Sequence, residues 1–170
     1  MIKEIISENK SERADGAKVT KIVIMASLMQ DAEAQAKELQ PARRQRSFHY
    51  VIGCDGSVVR CVPEELRAWS AQNRVIDSES VSILFCTDKV PSCNVTEKTW
   101  KALTELCADI CKRYKIEPRI LGRSTDTVIP YFVGAYMKKN AQKLVDDVVI
   151  LYMAEKKKKT TKKPKGGTEK

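Results

Sequence analysis

The chain's only histidine, His49, and its six cysteines, at positions 54, 61, 86, 93, 107 and 111, are the side chains suited to holding a transition metal through imidazole or thiolate. No two cysteines stand at the close C-x-x-C spacing of a zinc or redox site, so a cysteine metal centre is not expected. An even set of six would suit a disulfide framework in a secreted chain. Here, however, Cys107 and Cys111 fall one turn apart in a helical pattern, and Cys86 ends an apolar, strand-like run. Reduced cysteines acting as small core hydrophobes in a cytoplasmic chain fit those settings better. The other chemistry on offer is cationic: Arg43, Arg44 and Arg46 crowd a basic loop over residues 41–47.

The elements that must position these groups follow from periodicity. Residues 21–25 (KIVIM) form a short β-branched run and read as a buried strand; residues 30–39, alanine-rich and without Gly or Pro, read as a short helix. Residues 48–54 and 57–62 flank Asp55-Gly56, a preferred two-residue hairpin turn. On that turn Tyr50 faces Cys61, so that Phe48, Tyr50, Ile52 and Val59 share one face and His49 and Arg60 the other. Residues 81–86 read as a second buried strand. Trp100, Leu103, Leu106, Cys107, Ile110 and Tyr114 recur at helical spacing from a start near Thr96-Glu97. Pro118 ends that segment, residues 119–121 suit a short edge strand, and an apolar stripe from Met137 to Tyr152 marks a last helix. The sum is an α/β fold with a mixed central β-sheet flanked by helices. It occupies residues 20–154, between an N-terminal extension (1–19) and a disordered Lys-rich tail (155–170).

Charge supports that division. The tail holds eight lysines and two glutamates, a net +6 of the chain's +9, so the body is only mildly basic. Such a tail suits non-specific contact with nucleic acid or an anionic surface. No apolar run is long enough for a transmembrane span, and the charged N-terminus is unlike a secretory signal.

Several of these segments, in this order, resemble the zinc-dependent N-acetylmuramoyl-L-alanine amidases of the type-2 family, whose fold is shared with peptidoglycan recognition proteins. The matching pieces are Ile22-Val23-Ile24, Phe48-His49-Tyr50-Val51-Ile52-Gly53 with Asp55-Gly56, Val62-Pro63-Glu64, Ala68-Trp69-Ser70-Ala71-Gln72-Asn73, the strand from Ser80, the Trp100 to Tyr114 helix and Pro130-Tyr131-Phe132. They cover roughly residues 20 to 150. The resemblance implies a Zn²⁺ held by two histidines and a cysteine or aspartate, with an open position for the attacking water. Its first ligand position is Met25 here. The second falls on Arg123 or Ser124 and the third among Thr127, Val128 and Ile129. The histidine often found after the Ala-Trp pair is Ser70, the glutamate often closing the later strand is Leu84, and the tyrosine that assists in several members is Phe48. With one histidine in the whole chain, the two-histidine site cannot be assembled, and no metal or other cofactor is expected.

The resemblance and the lost ligands together imply a pseudo-amidase that keeps the cleft and binds a small anionic ligand there, a nucleotide signal or a muropeptide-type molecule. Arg123 would put a guanidinium where the cation sat, with Arg43, Arg44 and Arg46 closing over it. Trp69 and Asn73, in the loop matching the family's substrate wall, would give a stacking face and a polar contact. The ligand-binding set is thus Met25, Phe48, Trp69, Asn73, Arg123 and Ser124, with no catalytic residue. The family is frequent in phages and their hosts, so a phage-encoded, repurposed protein is in keeping with it. Two other readings stand beside this one. The first is an amidase with a displaced site built from Cys86 or Cys93 with His49. The second is a scaffold acting through its basic tail. His49 itself is expected to be a hydrogen-bonded sheet histidine rather than a catalytic one.

Overall fold

The computed structural model describes residues 2–88, 94–118 and 131–160, with side chains of the last stretch at 140–154. Strands β1 (Lys3–Glu4), β2 (Lys10–Glu12) and β3 (Lys21–Ser27) lead to helix α1 (Ala32–Leu39). Strands β4 (Tyr50–Ile52), β5 (Val58–Arg60) and β6 (Leu66–Ala68) follow, then the short helix α2 (Arg74–Ser78) and strand β7 (Ser80–Cys86). Helices α3 (Glu97–Tyr114) and α4 (Tyr131–Thr160) complete the described chain.

The main sheet has the order β1-β5-β4-β7-β3, and β2 pairs with β6 in a two-stranded ribbon. Strands β3 and β4 both run parallel to β7, while β4 and β5 form the antiparallel hairpin. The sheet is therefore mixed, as the sequence predicts. Strand β7, flanked by parallel neighbours, has all seven residues buried, which is why it reads as an unbroken apolar run. Alternation then splits the side chains between two layers. Ile22, Ile24, Ile83 and Phe85 pack toward α3 and α4. Val23, Met25, Leu84 and Cys86 pack toward α1.

Helix α3 begins where its cap signal lies: the Thr96 side chain accepts from Thr99 N. Leu103, Cys107, Ile110 and Cys111, buried on one face, hold it to the sheet. Burying Leu103 and Ile110 stabilises the fold by about 1.5–3 kcal/mol each. The described cysteines are all unpaired. Burial pushes the thiols of Cys61, Cys86 and Cys111 up to about 12, so they stay protonated and unreactive. Among the described residues no helix is long and apolar enough to cross a membrane.

Three expectations change. The hairpin is shifted by one residue: Tyr50 faces Arg60 and Val51 faces Val59. The cause is the turn. Gly56 adopts φ 83° and its N–H donates to Gly53 O at 3.0 Å, while Gly53 N donates to Ser57 O at 2.9 Å. This is a three-residue loop with glycine in the left-handed position, not a two-residue turn. A one-residue slip swaps the faces, so Val59 lies with Phe48 and Val51 against α1, apart from Tyr50 and Ile52. Residues 1–19, set apart as an extension, are woven into the fold instead: β1 pairs with β5 and β2 with β6. At the other end, α4 runs on to Thr160, through the Lys156–Lys159 run assigned to the tail, because lysine is a good helix former. The strand expected over 119–121 and the rest of the tail lie outside the described residues.

Candidate functional site

Strand β3 delivers Met25, 1% exposed, to the α1 side of the sheet beside Leu84 of β7. The loop after α1 completes the arrangement. A 3-10 turn over Ala42–Arg44 is closed by Gln45, whose left-handed φ of 49° reverses the chain and sends Arg46 inward. The Arg46 Nη2 then lies 3.2 Å from Met25 Sδ, and its Cζ stands 5.6 Å from the Phe48 ring centroid. Phe48 itself is 1% exposed. Arg46 Nε is buried with no hydrogen-bond partner. Beside this group lies a cavity of about 140 Å³, lined by Ser27, Gln35, Leu39, Arg46, Phe48 and Leu84 with Ala26. The Ser27 hydroxyl donates to Gln35 Oε1 across one wall.

Of the expected binding residues, the structure brings Met25 and Phe48 together and adds Arg46. Trp69 and Asn73 do not line this cavity. The Trp69 indole N–H donates to Ser11 Oγ at 3.1 Å. The Asn73 side chain accepts from Val75 N and Ile76 N and so caps α2. Arg44 turns away to an ion pair with Glu38, and Arg43 is exposed. Arg123 and Ser124 lie outside the described residues, as do Thr127 to Ile129.

His49 is fully buried. Its Nδ1 receives the Ser82 backbone N–H at 2.9 Å. The proton therefore sits on Nε2, 3.1 Å from the Leu66 carbonyl. Burial drives its pKa down to about 4, and the neighbouring Arg13 guanidinium acts in the same direction. It is a neutral, hydrogen-bonded sheet histidine with both nitrogens engaged. Ser70 likewise has a structural partner, its hydroxyl donating to the buried Asp77 carboxylate at 2.9 Å.

A second polar cluster was not legible. Glu64, 6% exposed, receives Arg113 through both carboxylate oxygens, together with the hydroxyls of Tyr50 at 2.7 Å and Tyr114 at 2.8 Å. Burial pushes the Glu64 carboxyl up, but these donors outweigh it and hold the pKa down to about 2. Arg13 donates to the carbonyls of Glu64, Ser78 and Ser80, tying the N-terminal segment to the sheet. Glu64 matches a family segment, but nothing local in the sequence around Arg13 marks it as half-buried.

The residues present do not fit the zinc that the resemblance implies. Met25, which the resemblance puts at the first ligand position, is a thioether under the Arg46 guanidinium, and a cation repels a second cation. The sole histidine has no free nitrogen. Among the described residues no group of three or more His, Cys, Asp or Glu side chains is placed to hold a metal ion.

A mixed sheet between α1 on one side and α3 with α4 on the other defines a three-layer α/β protein with a small cleft at the α1 face. The sequence model of the N-acetylmuramoyl-L-alanine amidase family matches residues 15–134, and the chain belongs to that family. Among solved structures it is similar to PlyL, with 14% identity over 87% of this chain and 96% of that one, at a TM-score of 0.66. A mutant endolysin from Bacillus subtilis gives 18% identity over 87% and 99% of the two chains, at a TM-score of 0.59. The N-acetylmuramoyl-L-alanine amidase LysC from Clostridium intestinale URNW gives 16% identity over 82% and 96%, at a TM-score of 0.53. These likenesses establish the shared fold. No curated protein sequence matches the chain.

Proposed function

We propose that this chain is a non-hydrolytic member of its family, a cytoplasmic protein that uses the α1-side cleft to bind a small anionic ligand without a metal. The observation that carries the reading is the placement of Arg46 on Met25, 3.2 Å from its sulfur. A guanidinium stands over Met25, which the resemblance puts at the first zinc-ligand position, so on this reading the cleft keeps a positive charge while losing the Lewis acid. Among the described residues the Arg46 guanidinium has only the weak acceptor Met25 Sδ, which supports an anion as its further partner. The ligand is of the nucleotide or muropeptide type, with one anionic end in the cavity and the rest outside it.

The test is amide hydrolysis. Purified protein incubated with zinc and a muramoyl-L-alanyl peptide should release no free amine above the no-enzyme control, while a zinc-replete family member does so under the same conditions. Zinc-dependent release that a chelator abolishes would sink the proposal. It would favour the second reading, an amidase with a displaced metal site, for which family membership itself speaks.

A further inference from the structure

The cavity beside Arg46 is selective in size, charge and lining. Its volume of about 140 Å³ is roughly five waters' share of liquid, well below the roughly 300–1,000 Å³ of ordinary ligand pockets. A whole nucleotide or sugar-peptide does not enter it; one end group does. Arg46 supplies the charge. Among the described residues its only hydrogen-bond acceptor is Met25 Sδ, a weak one. A guanidinium is best completed by a planar oxyanion taken through two parallel N–H bonds.

The lining narrows the choice of oxyanion. Apart from Arg46, the polar wall is Ser27 and Gln35, already joined to each other. Leu39, Phe48, Leu84 and Ala26 make the remainder apolar. One cation with so few other donors satisfies two carboxylate oxygens. It leaves the additional oxygens of a phosphate facing hydrocarbon, which is costly. The apolar wall in turn takes an aliphatic body of a few carbons.

We infer that this cavity binds a short aliphatic carboxylate group, anchored by Arg46 and seated against Phe48 and Leu84. The inference rests on the anion-binding reading and deepens it by dropping the nucleotide, whose anionic end is a phosphate.

Met25 provides the reporter. Methyl spectra of protein labelled at the carbons of its five methionine methyls, with the Met25 signal assigned by Met25→Leu, are recorded during titration with isobutyrate. A saturable shift of the Met25 signal is expected, weakened tenfold or more in Arg46→Gln. Arg46→Lys, which keeps the charge but loses the fork, should fall between the two. A parallel titration with acetyl-alanyl-alanine separates a free acid from a peptide C-terminus: if both probes shift Met25, the group is a chain end; if only isobutyrate does, it is a free acid. Inorganic phosphate shifting Met25 as strongly as isobutyrate would overturn the carboxylate assignment. So would an absent Met25 shift, or one unchanged in Arg46→Gln. Anion-induced shifts confined to the other methionine methyls would overturn this inference and leave the broader binding reading standing. Zinc-dependent hydrolysis would remove that reading without moving the Met25 result.

Discussion

Arg46 Nη2 lies 3.2 Å from Met25 Sδ, with the Phe48 ring beneath the same guanidinium. The pair holds a fixed positive charge at the position that the resemblance gives to the first zinc ligand. Two like unit charges 4 Å apart repel by about 4 kcal/mol near a protein surface, and a divalent ion doubles that. Under the proposed reading, thioether, guanidinium and phenyl ring put a fixed cation where the family holds an exchangeable one.

Met25 contributes to stability through its packing. Met25→Ala should destabilise the protein by about 2–5 kcal/mol and Met25→Leu by less than about 1.5 kcal/mol, read from urea unfolding. A small loss for alanine would show that the Met25 site is not the tightly filled core position described above.

The pH dependence of stability should show two windows. The His49 pKa is depressed in the folded state to about 4 from an ordinary 6.5. The unfolded chain therefore takes up the proton first. Stability is full above pH 6.5 and is lost as pH falls toward 4. His49→Gln should flatten that window in thermal unfolding measured from pH 7 to 4. An unchanged slope would place the titration elsewhere.

Glu64 governs the lower window. Its folded pKa is depressed to about 2 from 4.5, so its contribution is present above pH 4.5 and is lost as pH falls toward 2. Glu64→Gln should cost about 2–3 kcal/mol at neutral pH. That is less than for a fully buried pair, because the Arg113 side chain is 40% exposed. The variant should also lose the acid slope below pH 4.5. A neutral-pH loss without a change of slope would mean that Glu64 is not the titrating group.

Much of this architecture is legible in sequence because it rests on local pattern. β7, with its seven buried residues, and α3, with Thr96 at its cap and an apolar stripe behind, carry their signals within a few residues. The hairpin was legible as a hairpin but not in register, since Asp55-Gly56 suits two loop lengths and only the left-handed Gly56 with the Gly53–Ser57 pairing separates them. β1 and β2 are short and polar, and they owe their form to β5 and β6. At the site, Met25 and Phe48 were reached through the family pattern. That Arg46, rather than Arg43 or Arg44, turns inward depends on the backbone reversal at Gln45, which no periodicity announces. Arg13 and Glu64, 51 residues apart, meet only through tertiary packing.

Contact of the basic tail with nucleic acid has its own test. Removing residues 156–170 takes away eight lysines and one glutamate, so retention on nucleic acid should vanish. In the full chain that retention should fall steeply with salt. Isobutyrate binding at Met25 should be unchanged by the truncation. Persistent, salt-resistant retention would assign nucleic-acid contact to the folded body.

The most direct test of a metal-free cleft is native mass spectrometry of protein purified without chelator, recording zinc and any co-purified small molecule together. The account predicts no zinc and, where the ligand survives purification, an anionic adduct that Arg46→Gln removes. One zinc per chain would contradict it.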